Sequence, residues 1–214
     1  MRCIVTAGPT WEPLDQVRRL TNFSTGSLGG RLANALALAG HDVRLLLSET
    51  ATWRAPLWAV SVAPFSTGAS LAEALRQWSG PDPTAVFHAA AVGDFAVRRL
   101  STSLPDGTLQ PATCGKVDTR GGVLVAELEP TPKILGQLRS WFPNARITGW
   151  KYEADGTRAD AVARGEAQMA EARTDACVVN GPACGTDFVW LRRDAETRIL
   201  TTRDTLLDAL VASV

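Results

Sequence analysis

The segment "VRRLTNFSTGSLGG", residues 17–30, gathers side chains that can meet an anion. Arg18 and Arg19 run into Asn22, then Ser24, Thr25 and Gly26, with Gly29 and Gly30 where an apolar helical pattern takes over. Glycines ahead of a helix let backbone N–H groups approach a phosphate, and the helix dipole favours its charge. Arg18 and Asn22 then stand where a cation and an amide could touch that anion. Each has an ordinary use as well: a solvated arginine, a turn asparagine, glycines that serve only close packing.

Familiar nucleotide and hydrolase templates do not fit. Laid on residues 24–29, G-x-G-x-x-G finds Ser24 in place of its first glycine, and Gly26 lies far beyond the first strand. Glu49 stands roughly 20 residues on, where a ribose-binding acid would stand, by coincidence. Tyr152 has Gly156, not Lys, four residues later, so the short-chain dehydrogenase pair is absent. Ser27 lacks a nucleophile elbow because Thr25 replaces its first glycine.

The elements that must position this segment alternate between strand and helix. Strands are expected at 2–7, 41–48, 57–65 and 85–92, with helices at 27–40 and 70–78. Leu28, Leu32, Ala35, Leu36 and Ala39 recur at helical spacing, and Gly40 is a natural residue to end that helix. The apolar run "AVFHAAAV" is buried on both faces, which implies a parallel sheet with helices on both sides. Residues 98–121, rich in proline and glycine, read as one long loop, a length uncommon without function. Strands follow at 123–129, 145–153 and 176–180, and helices at 132–142, about 158–173 and the C-terminal end. "FVWLRR" and "TRILTT" flank "DAE" as a small C-terminal hairpin. The fold class is α/β, a Rossmann-like parallel sheet plus that hairpin, in a single domain over 1–214.

Composition bounds the function. The chain has 214 residues, 45% hydrophobic, with 22 basic and 22 acidic side chains. This is an ordinary globular composition, and the zero net charge argues against a broad nucleic-acid surface. Cys3, Cys114, Cys177 and Cys184 form no C-x-x-C pair, and His41 and His88 add no ligand spacing, so no metal site is expected. No run reaches the roughly 20 apolar residues of a membrane span, and "MRCIVTAGPT" enters a strand directly, so a cytoplasmic location is expected.

The excursion between the first strand and first helix carries a resemblance. "TAGPTWEPLDQVRRLTNFSTGSLG", residues 6–29, is similar to the phosphopantothenate–cysteine ligases of coenzyme A biosynthesis, often the C-terminal half of a protein fused to a flavin-dependent decarboxylase. "AAAVGDF" (89–95), "GKV" (115–117), "LEPTPKIL" (128–135), "GWKYEAD" (149–155) and "DACVVN" (175–180) resemble further family motifs, in the family's order. Departures are Ser27, where the family often has a basic residue or Gln, Val179 in place of Ala, and a helix whose usual triphosphate-reaching lysines become Gln168 and Ala172. Arg164 and Arg173 stand nearby: either they substitute by a shifted register, or phosphate affinity is weaker.

The resemblance implies a reaction in which a carboxylate attacks the α-phosphate of CTP or ATP carried with Mg²⁺, and cysteine then displaces the nucleotide. It implies Asn22, Lys116 and Arg18 as catalytic residues, Lys116 riding on a flexible strap. It implies nucleotide contacts at Gly8, Thr10, Ser24, Gly26, Gly29, Ala90, Ala91, Asp94, Thr131, Pro132, Lys133, Ile134, Trp150 and Asn180. The implied partners are phosphopantothenate, cysteine and the nucleoside triphosphate, a second copy in a homodimer, and a separate flavin-dependent decarboxylase, with no nucleic acid and no membrane. Two alternatives remain at this point: an NAD(P)-dependent oxidoreductase, and a diverged nucleotide-binding paralogue acting on another acid or without turnover.

Overall fold

Strand β1 (Arg2–Ala7) is buried from Cys3 onward and lies inside an eight-stranded sheet. The computed structural model describes residues 1–58, 60–112, 115, 117 and 122–214. In chain order follow β2 (Trp11–Pro13), β3 (Arg19–Thr21), α1 (Ser27–Leu38), β4 (Asp42–Ser48), β5 (Val60–Phe65), α2 (Gly68–Gln77), β6 (Ala85–His88) and β7 (Phe95–Ser103). Then come β8 (Leu109–Pro111), β9 (Val123–Pro130), α3 (Leu135–Trp141), β10 (Arg146–Tyr152), α4 (Arg158–Ala172), β11 (Ala176–Asn180), β12 (Phe188–Arg192), β13 (Ala195–Leu200) and α5 (Arg203–Val211).

The main sheet has the order β13-β12-β11-β10-β6-β1-β4-β5. Its six strands from β5 to β11 pair in parallel, in the arrangement of a doubly wound sheet. Alternate side chains of each strand go to opposite layers. Cys3, Val5 and Ala7 pack with Leu32 and Leu36 of α1 and Leu206 and Leu210 of α5. Ile4, Val86 and Ile147 pack with Leu71 and Leu75 of α2 and Leu138 of α3. Cys177 and Val179 meet Ala161 and Met169 of α4. Burial pushes the Cys3 thiol up to about 11 and Cys177 up to about 12, so both are inert thiols at neutral pH.

Two expectations change. The 98–121 loop is largely sheet: β7 pairs antiparallel with β8 and β9 in a separate three-stranded unit. Its faces are mostly open to solvent, so no apolar alternation marks it. Backbone pairing and charge hold it: a register shift between Val97 and Arg99 lets Arg98 and Arg99 both reach Glu127. The C-terminal hairpin forms as expected, and because β12 pairs antiparallel with β11 it extends the main sheet. The strand expected over 85–92 stops at His88, because beyond it the backbone crosses to bridge Ala91 with Pro9.

Candidate active site

A parallel sheet binds ligands at its carboxyl edge, where the strand order reverses. Here that point lies between β1 and β6, with Thr6 beside His88 in register. Two glycines shape it. Gly8 (φ +92°) and Gly26 (φ +79°) adopt left-handed backbone, and a Cβ on Gly8 would come within 2.7 Å of Ser48 Cβ. A Cβ on Gly29 would lie 2.6 Å from Ala7 Cβ, so α1 starts directly against the end of β1. Gly26 caps α1 with no side-chain hydrogen bond, and the first turn holds no acidic residue. The positive end of the dipole therefore faces the edge without a side-chain anion.

A ladder of hydrogen bonds fixes the backbone beyond β6. Ala91 N–H donates to Gly8 O (3.0 Å), and Thr10 N–H donates to Ala91 O (3.1 Å). Gly93 N–H donates to the buried Thr10 hydroxyl (2.8 Å), and the Thr131 hydroxyl donates to Gly93 O (2.6 Å). Asn22 Nδ2 donates to Ala91 O (3.2 Å) from an exposed position. Beneath, Ala90 N–H donates to Thr6 Oγ1 (3.1 Å), itself 3.0 Å from His88 Nδ1. Burial lowers His88 to about 4, so the ring is neutral at ordinary pH.

Gly8, Thr10, Asn22, Gly26, Gly29, Ala90 and Ala91 thus meet at one edge, with Ser24 half-buried in the loop entering Gly26. Asp94, Thr131 and Lys133 join it through Gly93, and the Lys133 ammonium pairs with the Asp94 carboxylate in the open. Pro132 is exposed, whereas Ile134 is buried in the core and so does not present its side chain to the edge. Trp150 and Asn180 lie farther along the same edge on β10 and β11, where Tyr152 registers with Asn180. The Trp150 indole N–H is buried with no partner among the described residues, and its carbonyl accepts from Gln168 Nε2 (3.2 Å). A cleft of about 310 Å³ lined by Tyr152, Asn180, Gly181 and Phe188 opens beside them. Lys116 lies outside the described residues.

Arg18 is committed within the protein. Its guanidinium donates to Asp15 Oδ2 through Nε (2.9 Å) and Nη2 (2.6 Å), and Nη2 also reaches Val117 O (2.8 Å). Asp15 is a residue that the motif reading missed, although an acid three positions before an arginine is a visible pairing signal. The Arg18 guanidinium holds the Asp15 carboxyl well below the usual carboxylate range. This pairing offsets the charge that Arg18 could offer a phosphate.

Glu153, in "GWKYEAD", was also missed. Its carboxylate is buried between Lys151 (3.2 Å) and Arg164. Burial alone would raise its pKa, but the two cations hold it below the usual value. Arg164 therefore stands near the carboxyl edge, bonded to Glu153. Arg173 does not. A helix between parallel strands runs back antiparallel to them, so the end of α4 lies at the opposite edge, where Arg173 (φ +54°) closes it and Asp175 N–H bonds Ile147 O at the start of β10. Ala172 is buried at that same far end. Among the described residues no group of three or more His, Cys, Asp or Glu side chains could hold a metal ion. None of the helices described is long and apolar enough to cross a membrane.

Residues 1–205 match the family described as the DNA/pantothenate metabolism flavoprotein C-terminal domain. The coenzyme A biosynthesis bifunctional protein CoaBC of Thermococcus kodakarensis is 29% identical over 183 residues, which is 84% of this chain and 41% of that protein. The chain thus spans well under half the length of that relative. A crystal structure of the DNA/pantothenate metabolism flavoprotein from Streptococcus pneumoniae superposes with a TM-score of 0.87 at 23% identity, covering 100% of this chain and 97% of that one. A Cab2 H337A variant in complex with phosphopantothenate-cysteine gives 0.72 at 17% identity, covering 99% of this chain and 85% of its own. At these identities the likeness to solved structures is one of fold.

Proposed function

The chain belongs to the DNA/pantothenate metabolism flavoprotein C-terminal domain family, and from that premise we propose that it is a phosphopantothenate–cysteine ligase using CTP or ATP. The observation that carries the proposal is the site at the β1–β6 edge: an Asn22 carboxamide held over Ala91 beside the uncapped start of α1. A carboxylate is a poor electrophile, so amide formation needs its oxygen converted to a leaving group. The phosphopantothenate carboxylate oxygen attacks the α-phosphorus, the bond to pyrophosphate breaks, and an acyl-nucleotide forms. The cysteine amine then attacks the acyl carbon, nucleoside monophosphate leaves, and the amine proton goes to solvent.

The residues at this edge divide the tasks of the scheme. The start of α1 and the Gly8–Gly26 backbone receive phosphate charge. Asn22 donates to the acyl phosphate, where fixed donors lower the barrier most. Thr10 and Thr131 keep the 91–93 backbone in place. Trp150 and Asn180 border the nucleotide, and Arg164, aimed by Glu153, adds positive charge. Magnesium arrives on the triphosphate as part of the substrate. The reading extends to Lys116 as a cation at the reacting phosphate and to a homodimer, which the exposed Phe95, Val123 and Leu128 of the small sheet would suit.

The deciding experiment measures pyrophosphate release with phosphopantothenate, cysteine and each nucleotide in turn. Release that needs both the acid and CTP or ATP supports the ligase. Release with a different acid favours a diverged paralogue, and none with any acid removes the proposal.

A further inference from the structure

Asp15 has an environment that a surface turn does not require. Its side chain is 2% exposed, on a hairpin loop between β2 and β3. Oδ1 accepts the backbone N–H of Val17 (2.9 Å) and of Arg18 (2.7 Å). Oδ2 accepts Arg18 Nε and Nη2 and the Val117 N–H (3.4 Å). One carboxylate therefore serves two segments 102 residues apart. Two more hydrogen bonds join the same segments. Arg18 Nη2 donates to Val117 O (2.8 Å), and Gln16 N–H donates to Gly115 O (2.9 Å). A Cβ on Gly115 would come within 2.3 Å of Gln16 Oε1, so Gly115 lies directly against the Gln16 side chain.

A buried carboxylate is costly unless it is paired and fully hydrogen-bonded. Asp15 meets both conditions only while Val117 and Arg18 are in place. Arg18, by contrast, is partly open, with a side chain 38% exposed. The asymmetry is that of an orienting group and the group it aims. The fork shape of the guanidinium lets it bind one carboxylate edge and still reach a carbonyl on the other side.

We propose that Asp15 is a positioning residue: it aims Arg18 at the Val117 carbonyl and so fixes Gly115 and Val117 against the 15–18 loop beside Asn22. Gly115 and Val117 are the sequence neighbours of Lys116. On the ligase reading, which this inference deepens, the loop must be held for the reacting groups to be placed. A displacement of about 1 Å costs roughly 10²-fold in rate.

The test uses Asp15→Asn, Arg18→Gln and the double variant in the full chain. Two readouts are taken. Amide hydrogen exchange at Gln16 and Val117 reports whether the two segments stay joined, whatever the protein catalyses. Ligase turnover reports whether the joining matters. Faster exchange at both amides in either single variant is expected, with exchange in β1 unchanged. Turnover should fall on the order of 10²-fold in each single variant, and the double variant should be no slower than the slower single one, since both act through one contact. If Asp15→Asn does not fold, Arg18→Gln alone carries the exchange arm. Unchanged exchange at Gln16 and Val117 in a folded variant overturns the proposal. So do additive turnover losses, which would give Asp15 and Arg18 separate roles. A wild-type protein without ligase turnover sinks the ligase reading, while exchange still decides whether Asp15 holds the segment.

Discussion

Replacing Gly29 with alanine would test whether α1 must touch β1 for the site to exist. In most helices this change stabilises by about 0.5–1 kcal/mol, because alanine loses less entropy and shields the backbone. Here the new methyl would sit 2.6 Å from Ala7 Cβ, 3.0 Å from Thr6 O and 3.2 Å from Ala7 Cα. These neighbours belong to a strand whose relative exposure is 0% at Ile4, Val5 and Ala7, so they cannot move aside. Ordinary contact needs about 3.6 Å, so the start of α1 would have to shift by about 1 Å. Overpacking of this kind costs about 3 kcal/mol at the upper end of its usual range. Subtracting the helix gain leaves about 2 kcal/mol of net destabilisation. For a chain of this size, that lowers the melting temperature by about 4–8 °C. Gly136 in α3 is the control, since its Cβ would meet nothing within 4 Å among the described residues. Gly136→Ala should raise stability by about 0.5–1 kcal/mol. Thermal and urea unfolding of the two variants should therefore move in opposite directions, and Gly29→Ala should also weaken nucleotide binding. A Gly29→Ala protein as stable as the wild type would refute the close approach, and with it the reason for the glycine.

Asn22→Asp should retain nucleotide binding while ligase turnover falls roughly 10²–10³-fold, because the new charge opposes the acyl phosphate; near-normal turnover would return Asn22 to a turn role. CTP or ATP with magnesium at 100 times its dissociation constant should stabilise by about 2.7 kcal/mol, read as a rise of about 5–10 °C in melting temperature. NADPH should produce no shift, and the reverse pattern would favour an oxidoreductase. His88 binds its proton at about 4 when folded, against an ordinary value of 6.5. The unfolded chain therefore takes up more protons between those values, and stability should fall by about 3 kcal/mol as pH drops from about 6.5 to 4. Urea unfolding across that range should show the loss, and His88→Gln should flatten it; an unchanged slope in the variant would assign the acid sensitivity elsewhere.

What the sequence made visible follows from where the restraining contacts lie. Helix α1 and its end at Gly40 were legible because an apolar face at helical spacing and a left-handed glycine (φ +85°) are both local signals. The strands β1, β4 and β6 were legible because a sheet covered on both faces leaves continuous apolar runs. The strands β7, β8 and β9 were not, because their small sheet buries little on either face, and what pairs them is backbone and the Arg98–Arg99–Glu127 cluster, spread over 29 residues. Arg164 and Arg173 looked equivalent on the chain, and only the direction of α4 between two parallel strands separates them. The Arg18 site shows the same limit at closer range. The motif placed an arginine beside the anion loop, and the acid three residues earlier could have been read as a solvated surface pair. Its burial depends on Val117, which no local window contains. A carboxylate at that spacing says that the arginine is oriented; toward what is written about a hundred residues away.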